Sequence, residues 1–284
     1  MLEQLTKRFA YMPADGSVDR PILGAVLGDE RTLYIDAGNS RRHAAAFREA
    51  VRAAHAVREP MTALTHWHWD HAFGASYERM PLIAHRRTRE ALAKLVGLDW
   101  SDEALDERVR TGEEIEFCAS YIKKEFGEIR DIEIALPDMT FDRSVTLHLG
   151  SVDCVIDHIG GVHSDDHSIV YIPEERVLFL GDALGPAIYD GPRYYDAVDL
   201  LRLIDRIREY PAEWYIESHS QPVKAEAFWA EITEFRTLAE LVLEIGDDER
   251  RIEAELAKRL RRELSEDDRR TVEQFVLGSR KKQR

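Results

Sequence analysis

The segment Thr65-His-Trp-His-Trp-Asp-His71 sets three imidazoles and a carboxylate within six consecutive positions. Neutral imidazole nitrogen and ionised carboxylate oxygen are the donors a borderline cation such as Zn²⁺ takes. A polar cluster this dense is costly to bury without something to coordinate. Met61-Thr-Ala-Leu-Thr65 before it reads as a short buried strand, and Ala72-Phe-Gly-Ala-Ser-Tyr77 after it as the first turns of a helix. The cluster therefore falls on a strand-to-helix loop. In extended backbone His66 and His68 face the same way and can grip one ion, while Asp70 and His71, turning into the helix, point to a second position.

Further donors stand where buried strands hand over to loops. His163 lies in Ile159-Gly-Gly-Val-His-Ser-Asp-Asp166, just ahead of an apolar run at 168–172. Asp182 ends Val177-Leu-Phe-Leu-Gly-Asp182, and His219 closes Trp214-Tyr-Ile-Glu-Ser-His219. Ligand pockets of layered folds gather at such strand ends.

On these residues, and on an early strand pair ending Leu33-Tyr-Ile-Asp-Ala-Gly38, the chain resembles the metallo-β-lactamase fold superfamily from about Pro21 to Pro222. The resemblance implies an α+β fold, a four-layer αββα sandwich with the site at one edge between two sheets. It implies His66, His68 and His163 on a first metal, Asp70, His71 and His219 on a second, and Asp182 bridging them. The cofactors so implied are two divalent ions, zinc first, with manganese or iron as alternatives. Ions about 3.5–4 Å apart share a water and bring its pKa to about 7, making a bridging hydroxide the nucleophile. By the same likeness Asp70 protonates the leaving atom.

The branches of that family differ at positions visible here. β-Lactamases usually lack a bridging Asp and are normally exported, whereas Asp182 is present. Flavodiiron oxidoreductases carry Glu where this chain has His68. Quorum-quenching lactonases place a Tyr soon after the bridging Asp, where this chain has Ala183-Leu-Gly185. The seven-residue set is similar to that of glyoxalase-II-type thioesterases, lactonases and tRNA-processing nucleases. The expected function is a binuclear hydrolase of a small ester, thioester or lactone-like substrate. The alternatives are a mononuclear iron oxygenase resembling the persulfide dioxygenases, or a phosphodiesterase.

Charge and composition narrow the partners. With 39 Lys and Arg against 54 Asp and Glu the net charge is −15, so nucleic acid is repelled and a small-molecule substrate is expected. Cys118 and Cys154 are expected as free thiols. No long apolar stretch opens the chain or recurs later, so no membrane association and a cytoplasmic location are expected.

The elements that must position these residues are unevenly spread. A catalytic domain is expected over 1–224 and a helical extension over 225–284. Strand signals at Ile22–Leu27 and Thr32–Ile35 precede a helix from Arg41 to about Val57, whose His43 and His55 read as solvated. Pro81-Leu-Ile-Ala-His85 is a further strand with a structural His85. Alternation from Met139 to His158 reads as an antiparallel hairpin carrying structural His148 and His158. His167 reads as an ordinary loop residue ahead of a ligand-orienting one.

A charged helical insertion at about 86–130 is longer than a simple connection. It is either an extra layer or a cap in which Trp100, Phe117 or Tyr121 lines a substrate pocket. On the cap reading, deleting Gly97 to Gly127 leaves metal content intact and changes substrate preference. Trp67 and Trp69 read as wall and core. Tyr189, Tyr194 and Tyr195, in the Gly- and Pro-rich loop after Asp182, are candidates either for binding substrate or donating to an oxyanion, or for simple packing. Apolar stripes at Phe228–Val242 and Ile252–Leu264 need a partner surface, which the sandwich, the substrate pocket or a second copy in a homo-oligomer supplies. Ser265 with Asp268 reads as a helix cap, and Arg280-Lys-Lys-Gln-Arg284 as a solvated tail.

Overall fold

In the computed structural model, which describes residues 1–189 and 191–282, two sheets face each other. The first has seven strands ordered as in the chain: β1 (Glu3–Gln4), β2 (Phe9–Met12), β3 (Leu23–Leu27), β4 (Thr32–Ile35), β5 (Met61–Ala63), β6 (Leu82–His85) and β7 (Met139–Phe141). The second has six, again in order: β8 (Ser144–His148), β9 (Asp153–His158), β10 (Ser168–Ile172), β11 (Val177–Gly181), β12 (Trp214–Glu217) and β13 (Val223–Lys224). Strands β4 to β7 run parallel, as do β11 and β12. Parallel neighbours need crossover connections, and each crossover here carries helix. Those connections leave the C-terminal strand ends, which is why donors placed there can meet.

The expected hairpin is β8 with β9 alone. Met139–Phe141 joins β6 in the other sheet, and the chain crosses between sheets at Asp142 and Arg143. Alternation says which residues face inward; it carries no information on which sheet a strand joins.

Period-two alternation sorts the layers. In β11, Val177 and Phe179 enter the core between the sheets with Val26, Leu33, Ile35 and Ile216, while Leu178 faces the other way into a second core with Ile169 and Tyr215. Helix α1 (Arg41–Ala54) covers the outer face of the first sheet, setting Phe47 and Val51 on Leu23, Ala25 and Tyr34. Then come α2 (Trp69–Ala72) with a 3₁₀ turn (Phe73–Ser76), and α3 (Arg86–Ala93), α4 (Asp102–Thr111) and α5 (Glu116–Phe126) of the insertion. Helices α6 (Ala197–Ile207), α7 (Ala225–Ile245), α8 (Glu249–Leu260) and α9 (Glu266–Lys282) bury Leu203, Phe228, Ile252 and Val272 against the second sheet. The result is the four-layer αββα sandwich. The C-terminal stripes thus find their partner in the sandwich, sharing one core with α6. Ser265 and Asp268 form the expected reciprocal cap: the Asp268 N–H donates to Ser265 Oγ at 3.1 Å and the Ser265 N–H to Asp268 Oδ2 at 2.7 Å. Of the basic tail, Arg280 pairs with Asp247 and Lys282 with Asp196; Gln283 and Arg284 lie outside the described residues. Among the described residues no helix is long and apolar enough to cross a membrane.

The insertion is fastened rather than detachable. Its Trp100, Leu105, Cys118 and Ile122 pack on Trp69 and Phe73 of the donor-bearing loop. The buried Glu125 carboxylate takes Arg20 at 2.7 Å, Arg42 at 3.2 Å and the Ser40 hydroxyl at 2.5 Å. Excising 97–127 would uncover Trp69 and Phe73 and strand Arg20 without its partner. It would therefore disturb the donors themselves, against the expectation that metal content survives.

His43 is buried, 1% exposed, rather than solvated. It sits on the same stripe as Phe47 and Val51 at four-residue spacing, the sequence signal that betrays it. Burial, helped by the nearby Arg20 charge, pushes its pKa from 6.5 to about 3. The folded state therefore holds it neutral; its contribution is complete above pH 6.5 and is lost as pH falls toward 3. Between pH 7 and pH 5 this amounts to about 2 kcal/mol. Urea unfolding at the two pH values should show the native protein losing about that much more stability than His43→Leu.

Candidate metal centre

All seven expected donors meet at one edge of the sandwich, in two neighbouring groups: His66, His68 and His163, and Asp70, His71, Asp182 and His219. Within each group the donor atoms lie within 4.8 Å of one another. The motif leaves β5 at Ala63, and α2 starts at Trp69, so Asp70 and His71 stand on its first turn, three residues earlier than the sequence suggests. His163 comes from the loop after β9, Asp182 follows β11, and His219 follows β12.

His68 Nδ1 and His163 Nε2 face each other at 3.1 Å. In the second group, His71 Nε2 lies 3.1 Å from Asp70 Oδ2 and 3.4 Å from Asp182 Oδ2. His219 Nε2 lies 3.2 and 3.4 Å from the same two oxygens. Asp182 Oδ2 is also 3.5 Å from His163 Nε2. One carboxylate oxygen therefore reaches both groups.

The donor set fits divalent metal. His66 Nε2, His71 Nε2 and Asp182 Oδ1 are buried with no hydrogen-bond partner, and an unsatisfied buried polar atom costs about 1–3 kcal/mol. Three such atoms, spread over two neighbouring donor groups, make sense as ligands. Protonation agrees. Burial and the adjoining imidazoles hold His66 and His68 well below the ordinary histidine range, and burial lowers His163, so all three offer a free lone pair. Burial works against the charged forms of His71 and His219 too, but the Asp70 and Asp182 carboxylates override it and hold both imidazoles well above that range. Those carboxylates are in turn held ionised against their own burial by the same two imidazoles. A cation bound in that group takes the place of the two protons.

A surrounding layer orients the donors. Asp36, in left-handed backbone at φ 61° just past β4, accepts from the Thr65 N–H at 2.7 Å and the Thr65 hydroxyl at 2.9 Å. Its Oδ2 also holds His71 Nδ1 at 2.7 Å. Because a carboxylate only accepts, His71 keeps its proton on Nδ1 and turns Nε2 to the site. The Pro186 carbonyl does the same for His163 Nδ1 at 2.9 Å. His167 Nε2 accepts the Asp182 N–H at 3.0 Å and its ring stacks on His66, so it positions the bridging candidate rather than serving as a generic loop residue. Gly181 is required there: it has φ 60°, and a Cβ would sit 2.8 Å from the His167 ring. The Ser218 carbonyl, taken by the Ile22 N–H at 2.7 Å, ties the His219 loop back to the first sheet.

Two acids went unnoticed in the sequence. Asp19 lies 4.0 Å from His219 Nδ1, and Glu217 lines the same pocket. Burial, with Asp70 beside the first and Glu231 beside the second, raises each to about 7. Neither stands in a motif, and only the fold brings them in.

The groups open into a pocket of about 480 Å³. Phe117, Cys118 and Tyr121 of α5 line it, as the cap reading expects, whereas Trp100 is buried beneath the insertion. Trp69 belongs to both wall and core. Of the three tyrosines, Tyr189 stacks on Trp67, meets the edge of the His68 ring and reaches Cys118 Sγ at 3.9 Å. Tyr195 instead packs on Phe235 and Phe275, and Tyr194 under Lys281; neither lines the pocket. Asp190 in the same loop lies outside the described residues. Both cysteines are free and buried. His85 and His158 stack on each other at 3.7 Å, away from the donors.

Comparison with solved structures finds the same fold at low identity. A metallo-β-lactamase from Pontibacter korlensis matches with TM-score 0.54 and 16% identity over 82% of this chain and 97% of its own. The DIM-1 metallo-β-lactamase matches with 0.56 and 15% over 84% and 96%. The inverting sec-alkylsulfatase Pisa1 from Pseudomonas sp. matches with 0.65 and 15% over 98% of this chain and 48% of its own, so this chain spans about half its length. Comparison with curated protein sequences gives no match. The family model described as the metallo-β-lactamase superfamily covers residues 24–219. That span runs from β3 to the last of the seven donors, and on it the chain belongs to the metallo-β-lactamase superfamily.

Proposed function

We propose that the chain is a metal-dependent hydrolase with two cations at one centre, opening a small ester, thioester or lactone-like substrate. The observation that carries the reading is the position of Asp182 Oδ2, 3.4–3.5 Å from imidazole nitrogens of both groups. In this reading His66, His68 and His163 hold one ion, Asp70, His71 and His219 the other, and Asp182 both. Divalent ions held there supply Lewis-acid polarisation of the attacked carbonyl and an acidified water. The chain supplies the rest. Asp36, His167 and the Pro186 carbonyl fix the donors' orientation, and the α5 wall limits access of bulk water. Asp70, held ionised at the pocket surface, enters as a proton acceptor and returns the proton to the leaving oxygen or sulfur.

A pocket this size suits a small molecule, and a surface of net charge −15 repels polyanions; the reading therefore leaves out nucleic acid. The test is elemental analysis of protein purified without added metal, followed by hydrolysis assays on esters, thioesters, lactones, phosphodiesters and alkyl sulfates. About two zinc or manganese ions per chain, with turnover of a carboxylic ester or thioester, is the expected result. One iron per chain with oxygen uptake would replace this reading with the mononuclear oxygenase.

A further inference from the structure

We infer that Arg193 is the anion-recognising group of this pocket, so that the substrate carries a carboxylate or similar oxyanion at a distance from the bond that breaks. Among the described residues lining the pocket, Arg193 is the sole Lys or Arg, in a lining that also holds Asp19, Asp70, Asp182 and Glu217. It belongs to the loop that follows Asp182, and its guanidinium carbon lies 5.0 Å from the centre of the Phe117 ring on α5. A cation–π contact of this kind holds the guanidinium against α5 in the pocket wall. Among the described residues it takes part in no ion pair. A guanidinium with no ion-pair partner among the described residues, on the wall of a pocket that carboxyl groups otherwise line, is placed for a partner from solution.

The chemistry follows from the fork. A guanidinium offers parallel N–H donors that match a carboxylate or phosphate face-on, which an ammonium does not. Phe117, Tyr121, Pro186 and Ile188 add apolar wall to the same pocket. The substrate class is thus a hydrocarbon spacer with the scissile group at one end and an oxyanion at the other, such as a half-ester of a dicarboxylic acid. The identification of that other end as scissile rests on the hydrolase reading; the binding of the anion does not.

Turnover is therefore not needed for the test. Metal-loaded protein is titrated calorimetrically with the α,ω-dicarboxylates from malonate to suberate and with monocarboxylates of equal length. One carboxylate engages the metal centre in every case, and only a dicarboxylate of the right length also meets Arg193. The expected result is one chain length that binds at least about tenfold tighter than its monocarboxylate, an advantage lost in Arg193→Gln and partly kept in Arg193→Lys, with monocarboxylate affinity and thermal stability unchanged. Absence of any dicarboxylate preference, or its survival in Arg193→Gln, would overturn the inference. A clear preference in a protein that hydrolyses no ester would instead overturn the hydrolase reading and leave Arg193 in its role.

Discussion

Replacing Asp182 by alanine should lower turnover on the preferred ester by on the order of a thousandfold, equivalent to about 4 kcal/mol of barrier, and should strip metal from both positions. The reason is local charge. Among the described ion-pair contacts, Asp182 Oδ2 is the one oxygen within 3.5 Å of His71, His163 and His219 together. Removing it costs each group a donor, and leaves Asp70 as the sole carboxylate facing the Nε2 atoms of His71 and His219, imidazoles whose raised pKa draws on both acids. Asp182→Asn separates charge from shape, since the amide keeps the side-chain volume while losing the anion, the backbone N–H to His167 being untouched in both variants; it should fall nearly as far. Metal per chain and kcat/KM are read on the same preparations. Undiminished turnover in either variant would show that the centre takes no part in the reaction measured.

The donors were legible because five of the seven announce themselves locally: four crowd into the motif at 66–71 and Asp182 ends an apolar run. His163 and His219 needed the notion that ligands gather at strand ends. The supporting layer was far harder to read. Asp36 stands in a segment that supports the family resemblance but assigns it no role, and the group it organises, Thr65, lies 29 residues away; nothing in either segment points to the other. Asp19 and Glu217 gain their perturbed acidity from burial beside other acids that distant segments bring in. Aromatic content left two readings open in the loop after Asp182, and Tyr195 takes the packing one, filling the interface with α7 and α9. His43 misled the other way, a polar residue on an apolar stripe. Layering was recoverable from periodicity, but strand-to-sheet assignment was not, as β7 shows.

Asp36 offers the sharpest separation of folding from function. Asp36→Ala removes three buried hydrogen bonds, orphans the Thr65 N–H and leaves a Cβ-bearing residue without a polar side chain in left-handed backbone. At about 1 kcal/mol per bond, with about 1 kcal/mol of strain, a loss of about 4 kcal/mol of stability follows, together with the metal. Asp36→Asn behaves differently. Asparagine tolerates left-handed backbone, and its carbonyl still accepts the Thr65 N–H, so unfolding stability should stay within about 1 kcal/mol of the native protein. Its amide nitrogen, however, now donates to His71 Nδ1 where the carboxylate accepted. His71 is driven to the tautomer that carries its proton on Nε2, the atom aimed at Asp70 and Asp182, and its lone pair leaves the site. Metal affinity in the second group should therefore drop by about 10–100-fold in a protein that melts almost normally. If Asp36→Asn instead binds metal like the native chain while Asp36→Ala does not, then Asp36 serves only to hold the loop, and the tautomer argument fails.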